Sequence, residues 1–182
     1  MVKAACIQMR SGITRSENLE IATRMIRQAA TDGAELILTP EMTNVLDRKK
    51  DRLLENLPQE EQLEEISAFS ALAAELGIYL VIGSVAVALP EVGGARKIAN
   101  RSIAFGPEGV IARYDKIHLF DVDLPTGESW RESRMMIGGE QAVLVQMNEA
   151  KVGLSICYDI RFPHLYRGLA QAGAQILTVP AA

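Results

Sequence analysis

Three residues able to do chemistry stand at breaks in apolar sequence: Glu41 after ELILTP, Lys116 wedged between VIARYD and IHLF, and Cys157 after KVGLSI. A thiol on a strand-to-turn elbow projects from the rigid edge of a sheet. The N–H of the next residue, here Tyr158, then points at the same substrate oxygen. A free thiol is mostly protonated at neutral pH, so it needs a base. Glu41 is the first candidate, provided its strand and that of Cys157 end on one side of a sheet. An ammonium at Lys116 could meet the oxyanion that forms when a carbonyl is attacked, and losing one such donor typically costs about a hundred- to a thousand-fold in rate.

Each residue also has an ordinary alternative. Cys157 could be an inert strand cysteine, Glu41 a solvated acid at a helix start after proline, and Lys116 a snorkelling side chain. Cys6, inside the first strand without polar neighbours, reads as buried and inert. GLSIC resembles a serine-hydrolase elbow, but its last position is Cys157 rather than glycine, which leaves Ser155 within the strand. Glu132, in SWRESR, is an acid in a polar, loop-like segment and signals nothing alone. Arg161, four residues after Cys157, could hold a substrate carboxylate bidentately. An ion pair with Asp159 that shapes the elbow is the preferred expectation for it.

The elements that must position these residues follow from periodicity. Residues 2–8 read as a short buried strand and 17–30 as a helix with Ser16 as N-cap, its Leu19, Ala22, Ile26 and Ala29 at helical spacing. ELILTPE (35–41) is a second strand, 61–76 a second helix ended by Gly77, and 78–85 a third strand. KIANRSIAF and VIARYDKI flank Gly106-Pro107-Glu108-Gly109 as a hairpin, and QAVLVQM and KVGLSIC flank Asn148-Glu149-Ala150 likewise. A helix begins near Pro163 and QILTVP (175–180) is the last strand. This alternation points to an α/β sandwich with βαβ units. DGAELILTPE and AGAQILTVPA also echo one another. The echo fits either two pseudo-symmetric halves or reuse of a common helix-to-strand junction. A final strand with no helix after it would leave an open edge, so residues 1–182 read as one incomplete domain, oligomeric or marginally stable alone.

Composition narrows the function classes. The 182 residues are 48% hydrophobic and 23% charged with net charge -4, ordinary for a folded domain. No basic stripe suggests nucleic acid, and no apolar run reaches membrane-spanning length. Two cysteines form no disulfide framework, no signal-peptide pattern opens the chain, and the cytoplasm is the default location. The pairs Gly93-Gly94 and Gly138-Gly139 read as turns. Two histidines and no zinc-spaced cysteines leave no metal site, and the nucleotide-binding glycine motifs are missing, so no cofactor is expected.

Taken together, LTPEM around Glu41, RYDKIHLFD around Lys116 and GLSICYDIRFP around Cys157 resemble the nitrilase superfamily of carbon–nitrogen hydrolases, in that family's order along the whole chain. ACIQM and the GPEGVIARYDKIHL hairpin are also similar to it. KIHLFDVDLP followed by RES resembles the branch holding ω-amidase and deaminated-glutathione amidase. The resemblance implies an αββα sandwich of two mixed sheets with outer helices and assembly into dimers or larger homo-oligomers. It also implies a metal-free Glu-Lys-Cys site, with Glu132 as a second active-site glutamate. The implied reaction is hydrolysis of a small linear amide, for this branch a dicarboxylic acid monoamide, with N-carbamoyl compounds and nitriles as alternatives. Two departures stand out. Family members continue well beyond the strand ending at Pro180, and His164 follows RFP where an acidic or small residue is usual.

Overall fold

The computed structural model describes residues 2–91 and 95–182; the Gly93-Gly94 turn lies outside them. The first half contains β1 (Ala4–Cys6), α1 (Arg15–Thr31), β2 (Leu36–Leu38), α2 (Lys50–Asn56), α3 (Glu64–Leu76) and β3 (Tyr79–Ala88). A hairpin of β4 (Ile98–Gly106) and β5 (Gly109–Asp115) follows, then a small ribbon of β6 (Asp121–Asp123) and β7 (Ser129–Arg131). The chain continues as β8 (Val143–Met147), β9 (Ala150–Leu154), α4 (Pro163–Gln171) and β10 (Ile176–Leu177).

Two sheets result, one ordered β1-β2-β3-β4-β5 and one ordered β10-β9-β8. In the first, β1, β2 and β3 are parallel while β4 and β5 return as antiparallel hairpin arms. In the second, β8 and β9 are antiparallel and β10 joins β9 in parallel. Strand alternation sets the layers, because successive side chains leave opposite faces. Leu80 and Ile82 of β3 pack with Ala22, Ile26, Phe69 and Leu72 of α1 and α3. Val81, between them, packs with Val152 and Leu154 of β9. Gly153, in turn, faces Leu169 of α4. The order is therefore helices, sheet, sheet, helix: the αββα sandwich.

Several boundaries differ from expectation. The N-cap of α1 is Thr14 rather than Ser16, and the Asn18 side chain accepts from the Gly12 N–H at 2.8 Å to hold the entry. The first strand is not buried. β1 pairs only with β2, so its outer edge is open among the described residues and Cys6 is exposed. A sequence run supplies no sign that its strand lies at a sheet edge. α2 and the β6–β7 ribbon are too short to carry a periodic signal. Gly77, at φ 63°, ends α3 as its position predicts.

The internal echo has a structural counterpart. Gly33 and Gly173, both at positive φ, close α1 and α4. Glu35 then donates to Lys3 O at 2.8 Å, and Gln175 to Lys151 O at 2.8 Å, as the chain enters β2 and β10. β10 has no strand on its outer side among the described residues, and Leu177 there is exposed. No helix among the described residues is long and apolar enough to cross a membrane.

Candidate active site

The site forms where β2, β5 and β9 end. Beyond β2, residues 41–45 are all buried, and their polar groups are met internally. Thr39 and Thr43 hydroxyls bond at 2.7 Å, Thr43 donates to Pro40 O, and Ser84 Oγ accepts from the Met42 N–H. Asn44 completes the ladder by exchanging side-chain bonds with the N–H and C=O of Ala86. Met42 takes a positive φ of 56°, a sharp turn that aims the preceding Glu41 inward.

Lys116 lies one residue past β5 and is 1% exposed. Its ammonium is 3.0 Å from Glu41 Oε1 and 3.0 Å from Glu132 Oε2. Burial disfavours the ammonium, but the charges of Glu41 and Glu132 outweigh it and hold its pKa above the ordinary lysine value. Lys116 is thus a permanent cation between two carboxylates. Glu132, in a one-turn 3-10 segment after β7, also accepts from the Phe120 N–H at 2.8 Å. The ribbon that looked like loop in the sequence is what carries this carboxylate to the lysine.

Cys157 follows β9 on a tight 3-10 turn, at φ 48°. For a residue with a Cβ this left-handed conformation costs energy and recurs at strained functional turns. Its N–H donates to Pro180 O, whereas the Tyr158 N–H has no acceptor among the described residues. Burial, then the charge of Glu41, push the half-buried thiol up to about 11, against the opposing pull of Lys116. At neutral pH the sulfur is therefore protonated, and reaction needs a proton acceptor at hand.

Four further residues hold these parts together. Asn100 donates from Nδ2 to Glu41 Oε1 at 2.8 Å. Asp159, completely buried, accepts from Tyr114 Oη at 2.7 Å and from the Ile156 N–H with Oδ2. Its Oδ1 accepts from the His118 N–H at 3.0 Å and contacts His118 Nδ1 at 2.7 Å. Burial and the bond to Asp159 keep the Tyr114 phenol well above its ordinary pKa, so it stays a donor. The His118 ring stacks on Phe162 with centroids 3.6 Å apart. The one available sequence signal was spacing: Tyr114, Lys116 and His118 alternate by two.

One other expectation needs correction. Asp159 is fully engaged elsewhere and Arg161 is exposed, without an ion pair among the described residues, so the expected Arg161–Asp159 bridge does not form. His164 is exposed near the start of α4. Ser155 is buried and bonded to Thr178 O and Tyr166 Oη, away from any nucleophilic role. Among the described residues no cluster of three or more His, Cys, Asp or Glu side chains could hold a metal ion.

Known proteins resemble this arrangement throughout its length. The model of the Carbon-nitrogen hydrolase family matches residues 3–182. Omega-amidase NIT2 of Homo sapiens is 37% identical over 183 residues, covering 99% of this chain and 63% of that protein. A deaminated glutathione amidase of Synechocystis sp. is 36% identical over 182 residues, covering 98% of this chain and 65% of its own length. The chain thus spans less than two thirds of these relatives. The crystal structure of the C. elegans NitFhit protein superposes with a TM-score of 0.84 at 28% identity, covering 100% of this chain and 45% of that one. A family match that starts at residue 3 and runs through β10, with curated relatives aligned over the same span, admits one conclusion: this chain belongs to the carbon–nitrogen hydrolase family.

Proposed function

We propose that this chain carries the catalytic apparatus of an amidase that hydrolyses a small linear amide to a carboxylic acid and ammonia through a thioester on Cys157. The observation that carries this reading is the buried ion cluster: one ammonium between two carboxylates, beside a thiol whose proton is held tightly. Such a cluster is costly to bury and gains little in a merely structural role. The amidase relatives favour the same chemistry.

The steps follow from the roles available. Glu41 accepts the Cys157 proton as sulfur bonds to the amide carbon. Lys116 and the free Tyr158 N–H hold the oxyanion. The C–N bond breaks as Glu41 passes its proton to nitrogen, and ammonia leaves. Water, deprotonated by Glu41, then displaces sulfur, releasing the acid and restoring the thiol. Glu132 keeps the lysine charged and in place. No metal or cofactor takes part.

A dicarboxylic acid monoamide is the proposed substrate class, in keeping with the omega-amidase and deaminated glutathione amidase relatives; exposed Arg161 is a candidate for its free carboxylate. N-carbamoyl compounds and nitriles are the competing classes. We place the protein in the cytoplasm as a homo-oligomer, in keeping with the assembly that its resemblance to the nitrilase superfamily implies. Ammonia release should be measured across the three substrate classes, with mass spectrometry of the peptide holding Cys157 during turnover. An acyl adduct on Cys157 supports the mechanism. Turnover without one, or an adduct elsewhere, refutes it. A folded chain inactive on all three classes supports the rival reading, a non-catalytic module of the same fold.

A further inference from the structure

We propose that Asn100 is a positioning residue that divides the labour between the two oxygens of Glu41, so that Oε1 stays an acceptor throughout and Oε2 alone carries the proton. This rests on Glu41 being the base. The geometry is asymmetric. Oε1 receives two donors, Asn100 Nδ2 at 2.8 Å and Lys116 Nζ at 3.0 Å. Among the described residues Oε2 receives one donor, the Ala182 N–H at 3.1 Å. A carboxylate oxygen offers about two lone-pair directions, so Oε1 is full and Oε2 retains one. A proton arriving on Oε1 would have to displace the amide or the ammonium, whereas one arriving on Oε2 displaces nothing.

Asn100 is suited to this task by its backbone as well. It lies in β4 opposite Ala86 of β3, and its C=O accepts from the Lys116 N–H at 2.9 Å. One residue thus fixes the main chain of the lysine and the side chain of the glutamate. Its amide orientation is dictated by the carboxylate, since a rotated amide would set Oδ1 against Glu41 Oε1. The cost is visible: Oδ1 is buried without any hydrogen-bond partner, the only such side-chain atom among the described residues. An asparagine serving the strand alone would not leave this atom unpaired. The other charged or titratable groups around Glu41 are Lys116, Glu132 and Cys157. None of them is a neutral donor able to hold one oxygen through the whole cycle.

During catalysis the proton leaves Cys157 Sγ for Oε2 as the S–C bond forms. It then goes from Oε2 to the departing nitrogen as the C–N bond breaks. Water returns a proton to Oε2 as it attacks the thioester, and Oε2 gives it back to sulfur. Oε1 keeps both donors at each stage.

The test compares wild type with Asn100→Asp and Asn100→Leu, both close to asparagine in size, after thermal melts establish which variants fold. Two profiles are recorded against pH: amide turnover, and alkylation of Cys157 by iodoacetamide read by mass spectrometry. The expected result in a folded variant is kcat lowered about ten- to a hundred-fold with KM changed less than about three-fold, and the acidic limb of kcat/KM raised by roughly one pH unit, because the basic form has lost a donor. The alkylation profile should shift along the pH axis as well. A folded variant with an unmoved acidic limb and an unmoved alkylation profile overturns the proposal. If the wild type hydrolyses no amide, the functional reading fails by itself, and the alkylation profiles still decide whether Asn100 governs Glu41.

Discussion

The Tyr114 hydroxyl, from the last turn-side residues of β5, donates to Asp159 Oδ2 at 2.7 Å, and that bond ties the lysine segment of one sheet to the cysteine turn of the other. Asp159 also holds the Ile156 N–H just before the nucleophile and the His118 N–H two residues after Lys116. A single buried carboxylate therefore sets the spacing between ammonium and thiol. Asp159→Asn replaces an acceptor oxygen by a donor group, leaving at least one of these partners unmet. Each hydrogen bond to a buried charge is worth about 1.5–3 kcal/mol, so stability should fall by about 2–3 kcal/mol. Turnover should fall further than that loss of folded protein explains. Urea unfolding and kcat on the soluble fraction measure both, and wild-type kcat in Asp159→Asn would remove the carboxylate from this role.

Lys116 stabilises the fold as well as the oxyanion, because it neutralises two carboxylates held close together, Glu41 buried and Glu132 half-buried. Lys116→Met keeps the stem and deletes the charge. Breaking a buried pair from one side typically costs about 3–5 kcal/mol. Urea unfolding midpoints of variant and wild type at neutral pH check this. An unchanged midpoint would mean that the ammonium is not what holds the two carboxylates in place.

Glu41 and Cys157 were legible because each follows an apolar run, where a strand end can bring a polar residue to a sheet edge. Lys116 stood out differently, as an ionic residue wedged between VIARYD and IHLF. Asn100 carried no such mark: it sits inside β4 in the unbroken polar run Asn100-Arg101-Ser102, and only the approach of β2 reveals its use. Asp159 was visible only as a neighbour for Arg161, since its partners lie at the end of β5 and in the loop after it, and cannot be inferred from local sequence. Cys6 fails for a related reason. The run that contains it is apolar enough for an interior strand, but β1 lies at an edge, and edge position is a property of the assembled sheet.

The thiol of Cys157 should titrate in opposite directions when its two charged neighbours are removed. Burial and the Glu41 charge raise its pKa to about 11, and Lys116 lowers it. Glu41→Gln removes a contribution that disfavours thiolate, so the alkylation profile should move to lower pH although hydrolysis is lost. Lys116→Met removes one that favours thiolate, so the profile should move higher. In wild type, alkylation should climb with pH through the alkaline range, because a raised pKa keeps the proton on sulfur until the solution approaches that value. Identical profiles in all three proteins would place the thiol outside this cluster.

Gly83 lies where both halves of the sandwich press on β3. A Cβ there would stand 2.1 Å from Thr39 O, 2.5 Å from Pro40 O and 2.6 Å from Pro180 Cβ. Two of those atoms are backbone, so no rotamer change relieves the overlap. The Gly83 N–H is also held by Thr39 Oγ1 at 3.0 Å, which fixes β3 against the turn bearing Glu41. Gly83→Ala must push the Pro40 turn or the Pro180 segment away. Pro180 O holds the Cys157 N–H and Pro40 precedes Glu41, so either movement separates base from nucleophile. Overpacking of this kind costs about 1–3 kcal/mol, and more where backbone is hit. The expected outcome is a loss of about 3 kcal/mol together with a drop in kcat on the folded fraction. Comparable unfolding midpoints for Gly83→Ala and wild type would show that the two segments can yield, and that the close approach at β3 does not set the distance between Glu41 and Cys157.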